Sequence, residues 1–201
     1  MTENNEVPTE GAPAVTSHEM VLLSACLMGR KCAYDGGSAK EEISIAEDHR
    51  AAPVCPEVMG GLSTPRTRAE IVGGNGFDVL DGRARVLTQL GEDVTEAYLA
   101  GAQDTLRVAR KAGASSAVLQ DYSPSCGCRL ISDGSFRRSR VEGVGVTAAL
   151  LLRNGIKVIA HHEYGKGDHP TSIDESYSAE DQDDGGYGSR EGRGCGRSGP
   201  G

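Results

Sequence analysis

The chain has 201 residues and a formal charge of −8, but residues 1–18 contribute −3 of it and residues 161–201 contribute −5. The stretch between them is therefore neutral and lacks the clustered positive face of a strong nucleic-acid binder. No apolar run approaches the roughly 20 residues needed to span a bilayer.

Residues 1–18 carry Pro, Gly and acids without apolar periodicity, and they are expected to be a disordered tail. They show no basic flank and apolar core of a secretory signal, so a cytoplasmic protein with reduced thiols is expected. Met20–Ser24 is a short apolar run that reads as a buried strand, and Pro53-Val54 reads as a second, very short one. Phe77–Leu80 and Ala84–Leu87 flank Asp81-Gly82, a dipeptide favoured in tight hairpins, so the spacing predicts a β-hairpin there. Asp93 or Thr95 can cap a helix running to about Lys111, with Ala97, Leu99, Ala102, Leu106 and Ala109 near helical spacing and Gly113 as its stop. Ser116–Leu119 reads as a strand, Val146–Arg153 as a helix ended by Asn154-Gly155, and Ile156–Ala160 as a last strand. From Gly165 onward Gly, Ser and Asp dominate, and residues 163–201 are expected to form a second disordered tail.

Alternation of strand and helix predicts an α/β domain over residues 19–162, with a Rossmann-like or flavodoxin-like parallel sheet and a β-hairpin insertion. In such sheets ligands bind outside the carboxyl ends of the strands. Cys26, Cys55 and Cys126 each follow a predicted strand, so three cysteines distant in sequence can meet on one rim. Singly, each is an ordinary small buried thiol. None of the six cysteines makes a CxxC pair, which argues against a zinc finger or a ferredoxin-type run.

Several motifs stand in a fixed order. Ser24-Ala25-Cys26-Leu27 leads to Tyr34-Asp35-Gly36-Gly37. Val54-Cys55-Pro56-Glu57 continues to Gly60-Gly61-Leu62 and Thr64-Pro65-Arg66. Ser123-Pro124-Ser125-Cys126-Gly127 follows, and then Gly145–Leu151 with Gly155-Ile156. This series, spanning about residues 20–160, resembles the 2-thiouracil desulfidase family. The resemblance implies a [4Fe–4S] cluster held by Cys26, Cys55 and Cys126, with Glu57 as the catalytic carboxylate and Ser123 as an assisting hydroxyl. The implied substrate is a small thiolated pyrimidine, base or nucleotide, converted to its oxo form with release of hydrogen sulfide. Two departures stand out: Ala33 where relatives commonly have Arg, and Gln120-Asp121 where they often have Lys-Glu.

Such chemistry suits these residue types. Three thiolates on a four-iron cluster leave one iron without a protein ligand, and a soft thiocarbonyl sulfur matches it. Glu57 would take a proton from the attacking water, and Ser123 would orient substrate or relay a proton. Asp35 and Arg66 are second-tier pocket candidates. Asp35 can also serve only its turn, and Arg66 can pair with Glu70 four residues on. Cys32 and Cys128 read as neighbours of the ligand set, Cys195 as an inert tail residue, and His161-His162 as a surface pair. Alternatives are a non-catalytic iron–sulfur carrier or redox sensor, a tRNA thiouridine desulfidase, and a structural zinc module. Nucleic acid is not expected as a partner.

Overall fold

The computed structural model describes residues 19–40 and 49–164; the expectations for residues 1–18, for the tail from 165 onward and for Cys195 lie outside these. A four-stranded parallel sheet forms from β1 (Glu19–Ser24), β2 (His49–Val54), β5 (Ser116–Leu119) and β8 (Lys157–Ala160), in the order β2-β1-β5-β8. The parallel α/β expectation holds. The strand order reverses between β1 and β5, the place where such sheets bind ligands.

Period-two alternation divides the sheet between two cores. Leu22, Ala117, Leu119, Val158 and Ala160 pack with α3 (Thr95–Ala112) and α4 (Val146–Arg153). On the opposite face, Val21, Leu23, Leu27 and Val118 form a smaller cluster against which Ala39, Ala51, Ile159 and Tyr164 pack. The apolar stripe of α3 runs through Tyr98, Ala102, Leu106 and Ala109, so Tyr98 rather than Ala97 or Leu99 begins its buried face. Gly113 ends α3 at φ +67°, as its position after the last apolar residue predicts. At the other end Asp93 Oδ1 accepts from both the N–H and the hydroxyl of Thr95 (3.0 and 2.6 Å).

The hairpin expectation is half corrected. An antiparallel pair exists, but it joins β3 (Ala69–Val72) to β4 (Arg85–Thr88), and a second joins β6 (Leu130–Ser132) to β7 (Arg140–Glu142). Phe77–Leu80 belongs to the short helix α2 (Gly76–Leu80). Asn75 Oδ1 accepts the Phe77 N–H at 2.8 Å, and Asp78 Oδ2 accepts the Asn75 N–H at 2.9 Å. That capping box starts a helix, and Asp81-Gly82 then closes it instead of turning a hairpin. Gly82 supplies the positive φ (+73°) in either case.

Candidate active site

Beyond the carboxyl ends of β1, β2 and β5 lies a cavity of about 830 Å³ lined by Cys26, Cys32, Cys55, Glu57, Ser123 and Cys126, among others. Short-range structure carries each of them there. After β1 the chain turns at once, with the Gly29 N–H donating to the Cys26 carbonyl (3.1 Å) and Gly29 at φ +87°. The Ala25 N–H donates to the Val54 carbonyl (2.8 Å), tying the Cys26 turn to the end of β2. Cys55 is the N-cap of α1 (Pro56–Met59), with Pro56 in the first turn, where its missing N–H is no loss. Glu57 is thereby fixed in the first turn, two residues from Cys55.

Ser123 organises the third segment. Its Oγ accepts the N–H groups of Ser125 and Cys126, both at 3.1 Å, and its hydroxyl donates to Glu57 Oε1 at 3.3 Å. Tyr122, just before it, takes the left-handed conformation at φ +69°, and the Arg140 guanidinium lies 3.7 Å from its ring centroid. The other oxygen of Glu57 meets Arg66, whose Nε donates to Oε2 at 2.6 Å and whose Nη2 makes an ion pair with it. Arg66 also donates to the Cys32 carbonyl at 3.1 Å. The expected Arg66–Glu70 pairing is therefore corrected. That four-residue spacing works on a helix, but this segment runs into β3, and Glu70 pairs with Arg68 instead (2.6 Å).

The thiols act on one another across the cavity. Burial and then the neighbouring Cys55 push the Cys26 thiol up to about 11. Burial and the proximity of Cys26 push the Cys126 thiol up as well, against a hydrogen bond from Ser24. Cys32 is raised by burial and then by Cys55, to which it is also hydrogen-bonded. For Cys26, Cys32 and Cys126, burial first and a neighbouring thiol second therefore oppose ionisation, and a positive group bound among them would relieve both. Such a donor set fits a cationic thiophilic group. Among the described residues, no group of three or more His, Cys, Asp or Glu side chains is placed to hold a metal ion as it stands.

Of the residues singled out from the sequence, Cys26, Cys55, Cys126, Glu57, Ser123, Asp35 and Arg66 all line this one cavity. Asp35 also accepts the Gly37 N–H at 2.8 Å, so it lines the site and shapes its turn together. Cys32 lines it too. Cys128 does not: its buried thiol donates to the Cys126 carbonyl at 3.2 Å. The surface reading of the histidine pair fails for His161, which is buried and accepts the Asp121 N–H through Nδ1 (3.2 Å). Sequence reasoning missed Tyr98, a buried cavity residue whose phenol is raised by burial and by the Glu57 charge. It also missed Arg68, Arg138 and Arg140 on the cavity wall. Tyr98 was detectable as the aromatic on the apolar stripe of α3; the arginines sit on strands and loops without a local pattern.

A family model described as 2-thiouracil desulfurase matches residues 21–163. YbbK of Bacillus subtilis (strain 168) is 47% identical over 146 residues, covering 72% of this chain and 97% of its own. Among solved structures, the [4Fe-4S]-dependent thiouracil desulfidase TudS aligns with a TM-score of 0.64 and 36% identity, over 74% of this chain and 94% of TudS.

Proposed function

The chain belongs to the 2-thiouracil desulfurase family, and from that premise we propose that it hydrolyses the C=S group of a small thiolated pyrimidine, base or nucleotide. Water enters, the oxo compound and hydrogen sulfide leave, and no net electrons are transferred. The observation that carries this reading is the convergence of three thiols with Glu57 and Ser123 on one cavity.

Cys26, Cys55 and Cys126 would hold a [4Fe–4S] cluster, which supplies a soft Lewis acid suited to a thiocarbonyl sulfur. The chain's own residues handle the water and the protons. Arg66 fixes Oε2 of Glu57 and leaves Oε1, turned toward Ser123, to take the proton of the attacking water. Ser123 is held from two sides, by the loop N–H groups and by the carboxylate, so its hydroxyl can orient the substrate without losing its place. Arg138 and Arg140 on the cavity wall favour an anionic substituent on the ring, which suits a nucleotide. A non-catalytic carrier or sensor would have no use for a carboxylate and hydroxyl in contact beside the thiols.

Anaerobic purification, iron and sulfide analysis, and incubation with 2- and 4-thiouracil and their nucleotides test the reading. A brown protein that releases sulfide, and loses that activity in Glu57→Ala while keeping its iron, is the expected result. Iron retained in full by Cys55→Ser, or sulfide release unaffected by Glu57→Ala, would overturn it.

A further inference from the structure

Among the described residues, Gln120 is a polar residue of the cavity lining that the chemistry above leaves without a role. Gln120 follows β5 directly and lines the cavity. Its backbone N–H donates to Ser24 Oγ at 3.0 Å, and Ser24 in turn hydrogen-bonds the Cys126 thiol. Gln120 therefore stands at the point where the strand order reverses, beside the residues assigned to the cluster. Its side-chain Oε1 is buried without a hydrogen-bond partner, and its Nε2 makes only a long bond, 3.4 Å, to the Asp121 carbonyl. Asp121 offers Oε1 no donor: its carboxylate is an acceptor, and Oδ1 takes the N–H groups of Cys128, Arg129 and Leu130 (2.8, 3.2 and 3.4 Å).

A buried acceptor left unpaired is costly, so one standing beside a cavity gains from any donor that an occupant of the cavity brings. The terminal torsion of a glutamine is broad, so the amide plane can turn toward an occupant of the cavity. A carboxamide presents an acceptor beside a donor, and its complement is a ring N–H beside a ring carbonyl.

The geometry points to Gln120 as the residue that reads the ring. Its Oε1 accepts the N3–H of the thiolated pyrimidine, and its Nε2 donates to the remaining C=O beside that nitrogen. The assignment rests on the function proposed above and adds the specificity element to it. N3 lies between C2 and C4, so one amide reads a 2-thio and a 4-thio compound alike. It holds the oxo side in each case and leaves the C=S on the other flank. N1 takes no part in either hydrogen bond and stays free to carry a substituent.

The test uses iron-loaded wild type and Gln120→Leu with 2-thiouracil, 1-methyl-2-thiouracil and 3-methyl-2-thiouracil. Iron content and visible absorption are recorded for each, and the product uracil is titrated by calorimetry. Wild type should favour the first two compounds over the 3-methyl one by at least about tenfold in kcat/KM, the factor expected for one or two lost hydrogen bonds. In Gln120→Leu that preference should collapse toward one and uracil should bind about tenfold more weakly, with iron and absorption unchanged. Equal use of the 1- and 3-methyl compounds by wild type, or a preference unaltered in Gln120→Leu, would overturn the assignment. If wild type releases no sulfide from any compound, the proposed reaction fails, and the uracil titration alone decides the role of Gln120. Gln120→Glu, which keeps the acceptor and loses the donor, should retain part of the N3 discrimination and guards against a folding defect in the leucine variant.

Discussion

Removing Arg66 should reveal how strongly the site couples to the fold. The Arg66 and Glu57 side chains are only 8% and 13% exposed, so their ion pair behaves as a buried one, for which loss of a single partner costs about 3–5 kcal/mol. Arg66 also donates to the carbonyls of Cys32 and Ser63 (3.1 and 3.3 Å), so Arg66→Leu loses more than Glu57→Leu. Working values are about 4 kcal/mol for Arg66→Leu and about 3 for Glu57→Leu. The double variant leaves no unpaired charge, so it should cost about 3–4 kcal/mol instead of the sum, a coupling of about 3–4 kcal/mol. Denaturant unfolding of the iron-free protein under reducing conditions measures all four corners of this cycle. Raising salt from 0.15 to 1 M should change the coupling little, because screening acts weakly on buried pairs. Additive single costs, or a loss below about 1 kcal/mol for Arg66→Leu, would show that the pair is solvated and that Glu57 is held by something else.

Three further outcomes follow from the contacts around the site. Ser123→Ala should lower sulfide release by at least about a hundredfold and also weaken iron retention, because the N–H groups of Ser125 and Cys126 both lose their acceptor; parallel activity and iron assays check both. Cys128→Ala should keep full iron content, since its thiol bonds the Cys126 carbonyl away from the cavity, and full iron loss would contradict that placement. Asp81 is held below the usual carboxylate value of 3.8 by Arg153, which donates to it at 2.7 and 2.9 Å. A lowered folded-state value stabilises above pH 3.8, and that contribution disappears as pH falls below it. Asp81→Asn should accordingly cost about 1 kcal/mol at pH 7, allowing for the pair's exposure, with the difference fading in acid unfolding near pH 3.

How far the sequence specified this outcome depends on the range of each signal. Strands β1, β5 and β8 and helices α3 and α4 were legible because buried apolar runs and helical spacing are local properties of a dozen residues, whereas only the last two residues of β2, Pro53-Val54, were, since His49–Ala52 is not an apolar run. The placement of Cys26, Cys55 and Cys126 followed from each standing after a strand, since parallel strands put their carboxyl ends on one edge. The Asp81-Gly82 hairpin misled because two local signals competed. The capping box at Asn75 and Asp78 wins because it pairs two backbone groups at once, whereas the dipeptide only tolerates a turn. Strands β6 and β7 were hidden because three residues each are too few to show alternation, and the four residues of β3 do not alternate either. The partner of Glu57 was hidden likewise. Arg66 lies nine residues away across a loop, and nothing in its spacing distinguished Glu57 from Glu70 as the acid it would find.

The contact between α1 and α3 shows how tightly the site depends on distant packing, and Gly101 tests it. Gly101 lies inside α3, where replacing Gly by Ala ordinarily gains about 0.5–1 kcal/mol in helix stability. Here a Cβ would fall well inside van der Waals contact with the Pro56 carbonyl oxygen, and one on Gly60 would do the same to Ala97 of α3. The two glycines let α1 and α3 approach backbone to backbone, and α1 is the element that carries Glu57 behind its Cys55 cap. Backbone atoms cannot swing aside as a flexible side chain can, so α1 must shift bodily. Overpacking of this kind costs about 1–3 kcal/mol, enough to reverse the propensity gain. Gly101→Ala should therefore destabilise the protein despite improving the helix, and it should reduce sulfide release by more than its loss of stability explains. The 2.6 Å Arg66–Glu57 bond and the 3.3 Å Ser123–Glu57 bond both depend on where α1 sits. A Gly101→Ala protein that is more stable than wild type and fully active would show that α1 can move without disturbing Glu57, and that the close helix contact has no part in positioning the site.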